Sequence, residues 1–346
     1  MTAERLQAQL LAGKPARDPV AVTRRLLAVQ GQDPRGARLA IRARSSGLTA
    51  ADVDRALSDD RSLLITWLNR GTLHLVCSED YGWLHALTTP SLITGSVRRL
   101  AQEGVTPSGA ERGVRAIERA LAADGPLTRA QLRERIAATK VRTEGQALVH
   151  LLMLATLRGV TVRGPMAGSE HAYALVAHWL GAPVAVERDR ALAELARRYL
   201  EGHAPADDRD LARWSGLALR DARAGLRLIA GELVERPDGL LELKRRRRAA
   251  PEPPPRLLGA FDPLLLGWRS REEIVGANRS LVTVNGLFRP FALVRGRAAA
   301  GWRLAAGRIE LEPFARLTRA DKAALEADAG DVLRYLALSP QPAPSP

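Results

Sequence analysis

The stretch Leu64-Ile-Thr-Trp-Leu-Asn69, Arg70-Gly71, Thr72-Leu-His-Leu-Val-Cys77 decides the fold. Its β-branched and aromatic residues flank a glycine-containing turn, the pattern of two strands joined as a hairpin. What precedes it reads as helical. Asp18 followed by Pro19 is a helix start, Val22, Leu26 and Leu27 supply an apolar stripe, and Gly31 is the expected end. Asp33-Pro34 repeats the start signal, with Ala37, Ala40 and Ile41 at inward-facing spacing up to a stop at Gly47. A third helix opens at Thr49, where Asp52 makes an acidic variant of the capping box. Three helices and then a hairpin describe a winged helix, and Ser78-Glu-Asp-Tyr81 starts another helix by the same logic.

The succession recurs twice. From about Ser108 it predicts an amphipathic helix over 112–123, a break and new cap at Gly125-Pro-Leu-Thr128, a helix over 144–158, and strands around Val160-Thr-Val162 and Ala172-Tyr-Ala174. From about Arg188 it predicts helices over 188–201, 207–214 and 219–230, then strands at Leu233-Val234 and Leu240–Leu243 around Pro237-Asp-Gly239. Close hairpins rather than parallel crossovers favour small repeated units over one large doubly wound domain. The basic run Lys244–Arg248 and Pro251-Glu-Pro-Pro-Pro255 mark a linker or an edge strand. The run is either a solvated face or a track for a phosphate backbone. Short strands follow at Leu281–Asn285, Phe291–Val294 and Trp302–Leu304, then a helix over 318–335 and a proline-rich tail expected to be disordered. The expected class is α+β: three tandem winged-helix (helix-turn-helix) units at 1–105, 106–185 and 186–250, a small β-barrel-like domain at 251–338, and the tail at 339–346.

The chain has 346 residues, 46% hydrophobic and 26% charged, enough for several packed domains and unlike a disordered chain. No apolar run is long enough to span a bilayer, and the first residues lack the apolar core of a signal peptide, so a cytoplasmic, nucleoid-associated location without membrane contact is expected. Cys77 is the only cysteine, which excludes an intrachain disulfide and a cysteine-built zinc site. Against 38 acidic side chains stand 52 basic ones, net +14, which points to a polyanionic partner. Only Lys14, Lys140, Lys244 and Lys322 are lysines, so the excess is almost wholly arginine. Residues 241–310 hold 14 basic and 6 acidic side chains, giving the charge a location.

Walker A, HExxH, GxSxG and metal-spaced His/Cys patterns are missing from the sequence, so neither a metal nor a cofactor is expected. His150, His171, His178 and His203 read as surface or packing residues, and Tyr81 and Trp83 as core. The informative segment is Val29-Gln-Gly-Gln-Asp-Pro34. Two glutamines two apart project to one side only in an extended chain; in a helix they diverge by about 200°. Gly31 permits the extended link, and two neutral amides so placed can hold a water or a sugar oxygen without attracting or repelling phosphate. The other reading is a polar interhelical loop in which Asp33 is only a cap, and spacing alone favours it.

Four segments carry a resemblance: VQGQDPRGARLAIRAR at 29–44, TWLNRGTLHLV at 66–76, LLGAFDPLLLGWRSR at 257–271 and GLFRPFALVRGRAAAGWR at 286–303. With the middle helices they make the whole chain resemble the winged-helix DNA glycosylases related to the azinomycin self-resistance enzyme AlkZ and to YcaQ. The resemblance implies three winged helices and a C-terminal β-barrel around a basic DNA channel. It also implies a catalytic Gln-X-Gln pair, which falls on Gln30 and Gln32, although Gly31 replaces the usual apolar residue between them.

The implied activity is that of a monofunctional glycosylase removing alkylated purines, N7-alkylguanine adducts or crosslinks, from double-stranded DNA held mainly through its phosphates by a monomer. Asp33 is a candidate auxiliary base. So is His74, which alternates with Leu73, Leu75 and Cys77 and is expected on the strand face opposite them, lining the site. Arg70, Arg269, Arg271, Arg295 and Arg297 are the candidate phosphate contacts. A non-catalytic winged-helix regulator, with a recognition helix in the major groove, is the alternative from another class. An RNA-binding module lacks the aromatic sheet motif such modules use.

Overall fold

A computed structural model describes residues 2–168, 170–182, 186–244, 252–283 and 286–338. The basic run at 245–248, Pro251, the end of the strand expected at 281–285 and the tail at 339–346 lie outside the described residues. In chain order the elements are α1 (Thr2–Ala8), α2 (Pro19–Leu26), β1 (Val29–Gln30), α3 (Pro34–Arg42), α4 (Ala50–Ser58), β2 (Leu63–Leu68) and β3 (Thr72–Cys77). There follow α5 (Tyr81–Thr88), α6 (Pro90–Gln102), α7 (Pro107–Asp124), α8 (Arg129–Ala137), α9 (Ala147–Leu157), β4 (Thr161–Ala167), β5 (Glu170–Leu175) and α10 (Val176–Trp179). Then come α11 (Arg188–His203), α12 (Asp208–Ser215), α13 (Leu219–Leu228), β6 (Leu233–Glu235), β7 (Leu241–Leu243), β8 (Arg256–Leu258) and α14 (Glu272–Val275). The chain closes with β9 (Phe291–Val294), β10 (Arg297–Ala305), β11 (Arg308–Pro313) and α15 (Arg319–Tyr335). This is a mixed α/β chain that divides into two compact units.

One unit comprises residues up to Val53, Leu192–Trp214 and those from Ala218 onward. The caps work as their residue types require. Asp18 accepts from the Val20 and Ala21 amides at 3.0 and 3.2 Å, and Asp33 accepts from Arg35 at 2.9 Å. The expected stops do not hold. Helix α2 ends at Leu26, where Leu27 turns at φ +65°, and α3 ends at Arg42, both well before Gly31 and Gly47. Strands β8 to β11 form an antiparallel sheet in the order β11-β10-β9-β8. That sheet is open, so among the described residues there is no closed barrel, and its inner face is covered by α15 and α3 instead, through Leu39, Leu257, Ala292, Trp302, Leu325 and Val332. Leu281 lies in a short 3-10 turn and Val282 makes one isolated bridge to Phe288, in place of the strand expected at 281–285. Strands β6 and β7 pair as the short hairpin the sequence predicts.

Helix α3 is the most constrained element of this unit. At Gly36 a Cβ would lie 2.3 Å from the Ala260 carbonyl oxygen, and at Gly259 one would lie 2.9 Å from the Leu39 Cβ, so glycine packs on glycine. Arg42 reaches Asp331 at 2.9 Å and the Leu257 carbonyl at 3.1 Å, and it forks onto Asp328 of α15. Just past the helix, Arg44 donates to Asp262 at 2.8 and 2.9 Å, to the Ala40 carbonyl at 3.0 Å and to Gln9 at 3.0 Å. Neither side chain of the Arg44–Asp262 pair is exposed. Gln9 passes the connection on to the Gly202 carbonyl at 3.1 Å. Beside it, His203 stacks on Tyr199 at 4.6 Å, and Trp268 donates to the His203 carbonyl at 2.9 Å.

The second unit comprises Asp54–Ala191 and Ser215–Leu217. Its strands lie in the order β3-β2-β4-β5. Leu63 to Leu68 pairs with Cys77 to Thr72 around a tight turn in which Asn69 and Gly71 take φ +53° and +77°. Ile65 of β2 pairs with Arg163 of β4, so the first and second hairpins join edge to edge rather than standing apart as free wings. Helix α9, Ala-Leu-Val-His-Leu-Leu-Met-Leu-Ala-Thr-Leu, is apolar nearly all round and almost wholly buried, as such a composition requires. The helix expected over 112–123 is longer, reaching back to Pro107 behind a Thr106 cap.

Asp262→Ala should cost about 3–5 kcal/mol, because it leaves the Arg44 guanidinium buried without its counter-charge. Urea unfolding of the full chain reads this as a shifted midpoint, and a loss under about 1 kcal/mol would mean that the pair does not hold the unit together.

Candidate active site and nucleic-acid interface

The segment with the two glutamines is fixed at both ends. At its start Leu27 turns left-handed, and Ala28 donates back to the Leu26 carbonyl at 2.8 Å. At its end Asp33, extended at φ −111° and ψ 112°, caps the immobilised helix α3. Between them Val29 and Gln30 are extended as β1, and the chain bends at Gln32. The two amides occupy different surroundings: Gln30 is 7% exposed, whereas Gln32 is exposed. A desolvated amide is a strong, pre-aligned dipole, and an amide at the surface can meet a ligand. One Asp33 oxygen, Oδ1, is committed to the cap.

His74 is buried, with its Nδ1–H donating to the Thr72 carbonyl at 2.9 Å. Burial, reinforced by the Arg70 charge, pushes its pKa down to about 3, so it is a neutral imidazole at physiological pH. Arg70 sits half-buried at the β2–β3 turn.

The arginines of the C-terminal segment divide into two kinds. Arg269 donates to Asp207 at 3.1 Å and also faces Asp210 at 3.5 Å. Arg295, at φ +48°, forks onto Asp321 with two 2.9 Å bonds. Arg271 lies 5.1 Å over Phe288, and burial and the nearby Arg213 both lower its pKa. Arg297 is exposed at the start of β10.

Reading by spacing missed the pairing of Arg44 with Asp262, although both lie inside the quoted segments 29–44 and 257–271. The available signal was an aspartate embedded in an apolar run, Asp262 between Gly259-Ala-Phe261 and Pro263-Leu-Leu-Leu266. Among the described residues, Cys77, Glu79 and Asp80 bring potential ligand atoms within 4.8 Å of one another. Each also has partners of its own. No helix among the described residues is long and apolar enough to cross a membrane.

A sequence profile of the family described as DNA glycosylase AlkZ-like matches residues 23–335. An interstrand DNA cross-link repair glycosylase of Streptomyces sahachiroi is 30% identical over 367 aligned positions, which cover 98% of this chain and 96% of that protein. The solved structure of the Streptomyces sahachiroi DNA glycosylase AlkZ superposes with a TM-score of 0.80 at 28% identity, covering 99% of this chain and 97% of that one.

The buried histidine makes stability depend on pH in a defined direction. Above about pH 6.5 both folded and unfolded chains carry a neutral His74. Between 6.5 and about 3 only the unfolded chain binds the proton, so folding weakens as pH falls, by about 1.4 kcal/mol per pH unit. Urea midpoints measured from pH 7 to pH 4.5 should therefore fall less steeply for His74→Asn than for the parent, and equal slopes would place the imidazole in water.

Proposed function

This chain belongs to the AlkZ-like DNA glycosylase family, and on that footing we propose that it hydrolyses the N-glycosidic bond of alkylated purines in double-stranded DNA, acting on N7-alkylguanine adducts or crosslinks. The observation that carries the assignment of the site is the Gln30-Gly31-Gln32 segment, stretched between the Leu27 turn and the Asp33 cap of an immobilised helix. N7 alkylation makes the purine cationic. When the C1′–N9 bond breaks, its electron pair passes to the base and neutralises that charge. A water oxygen bonds to C1′ and its proton leaves to solvent. The work left to the protein is to orient the water and stabilise the oxocarbenium-like sugar, which neutral amide dipoles do without a proton transfer. Neither glutamine offers a nucleophilic amine, so the reaction is monofunctional hydrolysis rather than a lyase step. Asp33 and His74 are the auxiliary candidates. The cap on Asp33 and the burial of His74 give both a mainly structural part.

We assign the architecture as three tandem helix-turn-helix units with hairpin wings at 1–105, 106–185 and 186–250, followed by the β-domain at 251–338. The helices at the recognition position of the first two units suit neither base reading nor phosphate contact. Helix α4 carries Asp52 and Asp54, and α9 is buried. Only α13 presents a cationic row, Arg220, Arg223 and Arg227. This weighs against the regulator and for a monomer that holds DNA by its phosphates, on the nucleoid in the cytoplasm. Of the candidate contacts, Arg271 is the readiest. Arg269 and Arg295 are the exposed members of pairs whose carboxylates are part-buried or buried, and each must give up such a partner to meet a phosphate. Arg70 and Arg297 complete the set.

Single-turnover excision from duplex carrying N7-methylguanine, read as alkali-induced strand scission, should fall about 10²–10³-fold in Gln30→Ala and in Gln32→Ala, with duplex affinity little changed. Unaltered excision in both would remove the pair from the mechanism. If about six phosphates are neutralised, log affinity against log salt should have a slope of about −5. Arg271→Gln should flatten that slope by about one unit and Arg295→Gln by less. A slope near zero would make the net charge compositional.

A further inference from the structure

The second unit holds a cation that none of the assignments above uses. Arg163 lies on β4, directly opposite Tyr173 of β5 and beside Ile65 of β2. Its guanidinium lies over two rings, 4.6 Å from the Trp67 centroid and 4.7 Å from that of Tyr173. Both rings are buried. A carboxylate would be the ordinary counter-charge for such a cation, since an ion taken out of water is costly without one. Here none acts on it: the charged group that does is another arginine, Arg129, and its Nε has no acceptor among the described residues.

The guanidinium presents forked, planar donors, and such donors match the oxygens of a phosphate. The Tyr173 phenol beside it favours the charged form of Arg163 without neutralising it, and its O–H can donate to a ligand. Burial keeps that phenol protonated, raising its pKa against the pull of Arg163 and Arg129. Glu170, the one carboxylate acting on Tyr173, does so more weakly than either arginine. Arg129 is the first residue of α8, directly after the Thr128 cap, so its exposed charge adds to the positive end of a helix. Leu127, two residues before it, is bridged to Tyr173 by a pair of backbone bonds of 3.0 and 2.8 Å, which fixes the helix start against the hairpin.

We propose that Arg163, Arg129 and the Tyr173 hydroxyl form a phosphate-binding subsite that takes one phosphodiester of the DNA backbone. The subsite rests on the reading of the chain as a DNA-binding enzyme and adds a contact on the second unit. Its ligand is the backbone group, not a base, so it is indifferent to sequence and to damage. Trp67 packs against the guanidinium and is a positioning residue.

The test uses the full chain and an undamaged duplex of about 20 base pairs, with binding followed by fluorescence anisotropy across a salt series. Arg163→Met keeps the stem over the rings and removes the charge. Arg129→Gln removes an exposed charge without touching the core. Each should weaken binding about tenfold at low salt and flatten the salt slope by about one unit, and Arg163→Lys should recover the slope but only part of the affinity. Tyr173→Phe should weaken binding a few-fold with the slope unchanged. Thermal melting of each variant separates loss of fold from loss of contact. If Arg129→Gln and a folded Arg163→Met bind with the parent's affinity and slope, the subsite is refuted while the enzyme reading stands. If the parent itself shows no salt-dependent affinity for duplex, both fall.

Discussion

The buried Arg44–Asp262 pair is the constraint on which the first unit depends. Its Coulombic attraction only offsets the cost of taking two ions out of water, so the pair is better understood as a register device than as a source of stability. Planar forks bond along fixed directions. Arg44 can satisfy Asp262, Gln9 and the Ala40 carbonyl together only when the N-terminal segment, the end of α3 and the Phe261-Asp262-Pro263 turn are all in place. Arg42 does the same work toward α15, and Gly36 against Ala260 sets the distance. An element held at three places along its length carries its cap, Asp33, and therefore the glutamine segment ahead of it, to a fixed position.

That use of arginine changes how the net charge of +14 is to be read. A charge count treats every guanidinium as surface, but Arg38, Arg42 and Arg44 are buried. Others are matched on the surface, as Arg158 is to Glu111 and Arg197 to Glu194 and Glu232. The part of the excess that can act on a polyanion is carried by cations with neither burial nor a tight partner. A localised excess in sequence is thus a weaker guide than the environment of each side chain. Arg271 and Arg295 show the difference within one short segment.

Much of the fold was legible because it is local. Caps at Asp18, Asp33 and Thr49 and the hairpin around Arg70-Gly71 depend on residues a few positions apart, and those elements appear where spacing puts them. What was not legible is set by distant partners. Leu27 stops α2 because the chain must turn into β1, although leucine carries no breaking signal of its own. The first two hairpins fuse through the pairing of Ile65 with Arg163, a match across about a hundred residues that alternation cannot reveal. The β-domain stays open because α15 and α3 cover its face, removing the need for closure. At the site, the glutamine pair and its extended start were readable from two-residue spacing. The opposite burial of Gln30 and Gln32 was not, since it is set by residues distant in sequence.

The placement of Asp33 bears on the chemistry beyond its role as a cap. The start of α3 is the positive end of a helix dipole, equivalent to about half a charge. In the proposed reaction a sugar acquires positive charge close to Gln30 and Gln32, and a bare helix start would oppose it. A carboxylate at the cap accepts from Arg35 and reverses the sign of that field while leaving both glutamines neutral. An alkylated purine that already carries its charge needs no acid to protonate it as it leaves. An unmodified, uncharged base departs only with protonation, and neither glutamine can supply that proton. In the proposed reaction, selectivity for alkylated purines then follows from the neutrality of the two glutamines.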